Sequence, residues 1–201
     1  PDRSASIADL VASYSSTNAE AFVQRVLERR YPHGWTLVRE GRTGFIDCLM
    51  VFLGDRSIAA RVLQQMGTIV HECGHVYDLD LSTGANNVYS MRADLMMTAS
   101  MGDSTARGGQ TFARSLLMGD MYQPMRPACP MGMFRGCDSY ANIYLDGSPT
   151  DGTFDSGDQG FNLLLEEVTQ YVNSLVTGYA LPDRFSGGSS VSDRDGMLTF
   201  L

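Results

Sequence analysis

Apolar residues recur every three or four positions along residues 56–80, and this spacing predicts a long amphipathic helix. Asp55 or Ser57 is the expected N-cap of that helix. A similar apolar stripe predicts a second helix over residues 161–180. The first stripe contains Ile58, Val62, Met66, Ile69, Cys73 and Val76, and the second contains Phe161, Leu164, Leu165, Val168, Val172 and Leu175.

The remaining patterns predict shorter elements. Thr17 and Glu20 have the spacing of a capping box, so a helix is expected from there to about Arg30. Residues 35–40 and 45–53 are predicted to be extended, although a buried helix is also compatible with the second run. The other expected elements are a short helix within 4–16, a short strand at 88–92, a helix at 110–122 and a long irregular segment at 123–160.

These elements predict a single-domain, mostly helical α+β fold over residues 1–201, with a small sheet formed by the 35–53 region and residues 88–92. The composition is that of an ordinary globular protein, with 43% hydrophobic and 19% charged residues in 201. The net charge of -8 disfavours a nucleic-acid or anionic-membrane partner, because binding to such partners needs basic patches on the protein surface. The sequence contains no apolar run of about 18 residues, so no membrane span is predicted.

The chain has four cysteines, which allow two disulfides. Cys129 and Cys137 flank the loop CPMGMFRGC and make the most natural bridge. Cys48 and Cys73 lie in apolar surroundings, where they can pair with each other or remain buried thiols. This use of cysteine favours an extracellular, periplasmic or cell-envelope location.

The segment His71-Glu72-Cys73-Gly74-His75 is an HExxH motif inside the first predicted helix. Two His four residues apart lie on one helix face and can hold a single Zn²⁺. Glu72 is poorly placed to bind the same ion, but it can take a proton from a water on it as general base. Both His are expected on the side opposite the apolar stripe; the alternative is two solvated His on a polar face.

A catalytic zinc needs a third protein ligand. His33 is expected to be an exposed loop residue. The better candidates are Glu167 and Glu166 of the second helix. Glu167 borders the apolar stripe, whereas Glu166 shares a polar face with Asn162, Gln170 and Asn173, so Glu167 is preferred and Glu166 is the alternate.

The HECGH motif followed by the helical segment LLEEVTQY resembles the gluzincin group of zinc metallopeptidases. The resemblance implies that His71, His75 and Glu167 (or Glu166) are the zinc ligands and that Glu72 is the general base. The chain differs from the metzincin group, because Asp78 and Leu81 replace the Gly and the last His of that group's longer motif. An aspzincin-like alternative would use Asp138 as the third ligand, but the Gly-to-Asp spacing in this chain differs from that of the aspzincin motif.

Several other residues are candidates for supporting roles. A donor is usually needed to stabilise the tetrahedral oxyanion, and Tyr140, Tyr144 and Tyr171 are available. Asp78, Asp94 and Asp138 are candidates to orient the ligating His, with ordinary surface or turn Asp as the alternative. Residues 155–166 have EF-hand length, but Gly157 and Gln159 stand where Asp or Asn is expected, so turns explain the loop better than Ca²⁺.

The function predicted from the sequence is zinc-dependent hydrolysis of a peptide or protein substrate, with Glu72 moving the proton. Two alternatives remain: a non-catalytic zinc-binding or interaction domain on a zincin scaffold, and a domain without metal.

Overall fold

The computed structural model describes residues 1–43, 46–100 and 161–182. Six α-helices and two strands occur in this part of the chain, with a 3₁₀ turn at Ser16–Asn18. The elements are α1 (Ala8–Ala12), α2 (Ala19–Arg30), α3 (Pro32–Gly41), α4 (Cys48–Phe52), α5 (Ala59–Leu81), β1 (Asn86–Arg92), β2 (Leu95–Ser100) and α6 (Phe161–Ala180). The predicted class, mostly helical α+β with a small sheet, is confirmed.

The chain divides into two compact units. Among the described residues, the first unit contains 1–43, 46–98 and 169–182, and the second contains 99–100 and 161–168. Helix α6 is continuous across this boundary, between Val168 and Thr169. No described helix is long and apolar enough to cross a membrane.

Helix α5 is the centre of the first unit and packs against α2, α3, α4 and β1. Its side chains Val62, Met66, Ile69 and Cys73 are fully buried, as the apolar stripe predicted. Ile58 is an exception, because it is the N-cap of the helix and is 55% exposed. The predicted caps are also wrong: the Asp55 carboxylate instead accepts hydrogen bonds from the backbone and hydroxyl of Ser57, in the turn before the helix.

The predicted strand at residues 35–40 is wrong, because this segment belongs to α3. Pro32 occupies the first turn of that helix, where its fixed φ and missing N–H fit. The buried residues of α3 follow a helical period rather than an alternating one, so packing against α5 overrides the β propensity of the run. These residues are His33, Gly34, Leu37, Val38 and Gly41.

Within residues 45–53, the helical alternative is the one that the structure adopts over Cys48–Phe52. The Asp47 carboxylate caps this helix by accepting a hydrogen bond from the Met50 N–H at 3.1 Å. A disulfide joins Cys48 of α4 to Cys73 of α5, so the pairing alternative holds for these two cysteines. The HECGH motif is therefore covalently tied to α4.

In the 3₁₀ turn that precedes α2, a capping box joins Ser15 and Asn18, whereas the predicted box was between Thr17 and Glu20. Glu20 instead pairs with Arg42 at 2.8 Å, which removes it from the cap. The end of α2 at Arg30 is as predicted.

The sheet is a two-stranded antiparallel hairpin of β1 and β2. The strand predicted at 88–92 is confirmed within Asn86–Arg92, whereas β2 was not predicted and the 35–53 region contributes no strand. The predictions for residues 110–122 and 123–160, for Cys129 and Cys137, for Tyr140, Tyr144 and Asp138, and for residues 155–160 of the segment with EF-hand length lie outside the described residues.

Helix α6 has the predicted bounds, but its polar side is not solvated. Gln170 and Asn173 are fully buried and Asn162 is 6% exposed. The apolar residues Leu165, Val168, Val172 and Leu175 are only partly buried. Polar side chains can be buried in this way when they have hydrogen-bond partners, and α6 supplies them.

Candidate metal centre

The two His of the HECGH motif converge on one point. They lie one turn apart on α5, and their Nε2 atoms are 3.1 Å apart. Two nitrogen ligands at about 2.0–2.1 Å on a tetrahedral zinc ion are separated by about 3.3 Å. The two rings therefore already have close to the spacing that one ion requires, and both residues are partly buried.

Glu167 completes a group of three possible ligands. One ligand atom from each of His71, His75 and Glu167 lies within 4.8 Å of the other two. Two imidazoles and a carboxylate are a donor set that binds a divalent metal ion. Of the two neighbouring glutamates, Glu167 is the member of this group, while Glu166 is its partly buried neighbour on α6.

Glu72 is partly buried on α5, immediately after His71. Successive residues of a helix point about 100° apart. Glu72 therefore lies next to the helix face that carries His71 and His75, but not on it. This position suits a proton acceptor better than a third ligand.

Tyr171 is the candidate oxyanion donor that lies in the described part of the chain. It is buried, and its ring packs edge-on against His71, with the ring centroids 4.9 Å apart. Tyr171 is four residues after Glu167, so both lie on one face of α6. The structure thus brings it to the candidate metal centre.

The predicted orienting carboxylates have different positions. Asp78 is buried one turn after His75, and it accepts hydrogen bonds from the Ser90 N–H and from Gln170. Asp94 is an exposed residue of the hairpin turn, where the hydrogen bond that its carboxylate accepts from Arg92 lowers its pKa. Asp78 is therefore a buried residue of α5 that is bonded to α6, and Asp94 is a surface ion-pair residue.

His33 is not the exposed loop residue that the sequence suggested. It lies on α3 and is 8% exposed, with Nε2 3.4 Å from the Ser90 carbonyl oxygen. Burial lowers its pKa, an effect that the contact with Ser90 opposes. The prediction failed because Pro32 starts a helix that turns His33 inward.

Sequence reasoning missed the close contact between Gln170 and Gly74 of the motif. A Cβ atom on Gly74 would collide with the side-chain amide of Gln170. Gln170 was assigned to a solvated face because periodicity alone cannot distinguish a buried polar side chain from an exposed one. The available signal was Gly74 itself, since glycine in the middle of a strong helix often marks a close approach.

No protein-family model, curated protein or solved structure matches this chain.

Proposed function

We propose that this protein is a zinc-dependent metallopeptidase. The observation that carries the proposal is the convergence of His71, His75 and Glu167, with the two Nε2 atoms 3.1 Å apart. Two His and one Glu are the protein ligands of a well-known class of catalytic zinc sites, which leave a fourth position for water or substrate.

The zinc ion, when bound, polarises the scissile carbonyl and lowers the pKa of its water. The imidazoles of His71 and His75 and the carboxylate of Glu167 would hold the zinc ion in a site of net positive charge, which would favour a developing oxyanion. Glu72 accepts the proton of the attacking water and returns it to the leaving amine, so that water is added across one peptide C–N bond. The Tyr171 hydroxyl is the proposed oxyanion donor.

The Cys48–Cys73 bridge supports placing the protein in an oxidising compartment, such as the periplasm, the cell envelope or the extracellular space. Cys73, which lies between Glu72 and Gly74, forms this bridge, and a reducing cytosol would not keep the bridge oxidised. The proposed substrate is a peptide or protein.

Zinc content tests the metal part of the proposal. The purified protein is incubated with Zn²⁺, dialysed and analysed by mass spectrometry, alongside His71→Ala and Glu167→Gln. We expect one zinc per chain in the wild type and its loss in both variants. Glu166→Gln is the matched control, since it removes the same charge one residue away, and it should keep its zinc. A wild type without zinc would refute the proposal.

Activity tests the catalytic part. The zinc-loaded protein is screened against a peptide library, with Glu72→Gln as the inactive comparison. We expect cleavage by the wild type, and loss of cleavage in Glu72→Gln with zinc content unchanged. Zinc binding without any cleavage would instead support the non-catalytic zinc-binding alternative. Equal cleavage by both proteins would point to a contaminating peptidase and contradict the role of Glu72.

A further inference from the structure

Helix α6 buries a side that carries mainly polar residues. Within the first unit, five of its residues are at most 1% exposed, although each has a polar side chain. Burying such groups is costly unless each is hydrogen-bonded. The five are Thr169, Gln170, Asn173, Ser174 and Thr177.

Gln170 and Asn173 bond outside their own helix. Gln170 donates from Nε2 to the Asp78 carboxylate at 2.9 Å, which connects α6 to α5. Asn173 donates to the Ser90 carbonyl oxygen at 3.2 Å and to Oε1 of Gln170 at 3.1 Å. Asp78 in turn accepts from the Ser90 N–H at 2.9 Å. Gln170 is therefore held by a donor and an acceptor at once.

Tyr31, the residue between α2 and α3, adds a further bond to this network. Its hydroxyl donates to Oδ1 of Asn173 at 2.9 Å. Burial raises the pKa of Tyr31, so the hydroxyl keeps its proton and remains a donor at physiological pH. With both amide groups engaged, neither Asn173 nor Gln170 can turn its amide over without losing a bond.

Gln170 also sets how closely the two helices approach. Its amide lies where a Cβ atom of residue 74 would be, so the contact exists only because residue 74 is glycine. Gly74 is part of HECGH and immediately precedes His75. The amide thus rests directly on the backbone of the metal-binding turn.

Helix geometry relates this contact to the ligands. Asp78 follows His75 by three residues, and Gln170 follows Glu167 by three residues on α6. Three residues correspond to a rise of about 4.5 Å, or a little less than one turn. A shift of α6 that broke the bond between Gln170 and Asp78 would therefore also move Glu167.

We propose that Gln170 is the positioning residue of the metal centre. By bonding Asp78 and resting on Gly74, it fixes the register of α6 against α5, and with it the place of Glu167 relative to His71 and His75. The inference depends on the metal site of the proposed function. It does not depend on peptidase activity.

The test compares two truncations of buried polar residues on the same helix. Gln170→Ala removes the positioning contact, while Thr177→Ala removes the bond from Thr177 to the Asn173 carbonyl oxygen further along α6. We measure the Kd for Zn²⁺ by chelator competition, the visible absorption spectrum of the Co²⁺-loaded protein and the Tm without metal. Both variants should have a lower Tm than the wild type. Only Gln170→Ala should also weaken zinc binding, by about 10–100-fold, and alter the Co²⁺ spectrum.

A double variant guards against misfolding of the single ones. Gly74→Ala alone should weaken zinc binding, because its methyl group displaces the Gln170 amide. Gly74→Ala with Gln170→Ala has room for that methyl and two good helix formers. The zinc affinity of this double variant should equal that of Gln170→Ala alone. The losses of zinc affinity in the two single variants should therefore not add.

Each outcome has one meaning. If Gln170→Ala binds zinc as the wild type does, with an unchanged Co²⁺ spectrum and a lower Tm, Gln170 is only structural and the inference fails while the metal site stands. Fully additive losses in the double variant would also overturn it. A wild type that binds neither Zn²⁺ nor Co²⁺ overturns the proposed function and this inference together.

Discussion

Cys73, the middle residue of the HECGH motif, is covalently bonded to Cys48 of α4, and both cysteines are fully buried. The bridge closes a loop between residues separated by 25 positions. A loop of this length restricts the unfolded chain by about 3–4 kcal/mol in the chain-entropy model. Helix α5 is thereby anchored at Cys73, the residue between Glu72 and Gly74.

Replacing both cysteines, Cys48→Ala with Cys73→Ala, should lower the free energy of unfolding by about 3–4 kcal/mol. Urea denaturation measures this change. The wild type under reductant is the control, and the thiols of Cys48 and Cys73 should react with a thiol reagent only after unfolding, because both sulfurs are buried. A double variant as stable as the wild type would contradict the stabilising role of the bridge.

Gly74 and Gly67 provide a matched pair on α5. Gly74→Ala should lower the free energy of unfolding by about 1–3 kcal/mol, because the new methyl group collides with Gln170. Gly67→Ala should raise it by about 0.5–1 kcal/mol, because nothing lies within 4 Å of the added Cβ and alanine favours the helix. Urea denaturation of both variants gives the two signs, and a stable Gly74→Ala would refute the close approach.

Helices α5 and α6 were predictable because both are long and strongly periodic. The HECGH motif was also visible, since its spacing follows directly from helix geometry. The pairing of Cys48 with Cys73 could be named only as one possibility, because spacing alone does not determine connectivity.

Two features could not be predicted from local pattern. Residues 35–40 have β-rich composition, yet Pro32 and the burial of Leu37 and Val38 make the segment helical. The polar side of α6 appeared solvated, because its partners Asp78 and Ser90 are distant in sequence. Both errors arise from tertiary contacts that override a local preference.

His33 should make folding sensitive to pH on the acid side. Because burial lowers its pKa in the folded protein, the unfolded chain takes up the proton first as the pH falls. The contribution is fully present above the unfolded pKa of about 6.5 and is lost as the pH drops through and below that value. The free energy of unfolding of the wild type should therefore fall between pH 7 and pH 5.

The comparison variant for this titration is His33→Gln, which has no titrating ring and retains an N–H group for the Ser90 carbonyl oxygen. Urea denaturation at several pH values should show a smaller loss for the variant than for the wild type. Since all other titrating groups are common to both proteins, parallel pH curves would rule out a contribution from His33.

Tyr171 combines two roles that substitutions can separate. Its ring packs on the His71 ring, with the two ring centroids 4.9 Å apart, while its hydroxyl is the proposed oxyanion donor. Tyr171→Phe keeps the ring, so zinc content and Tm should change little, while kcat should fall by about 100–1000-fold at nearly constant KM. Tyr171→Ala should in addition weaken zinc binding, because His71 loses the ring that holds it.

Steady-state kinetics on a peptide found in the library screen, together with zinc analysis of both variants, check these expectations. If Tyr171→Phe retains full kcat, the hydroxyl is not the donor, and the choice passes to Tyr140 or Tyr144. If instead Tyr171→Phe loses its zinc, the hydroxyl supports the ligand shell and not the transition state. The proposed division of roles requires that zinc content depend on the ring and that kcat depend on the hydroxyl.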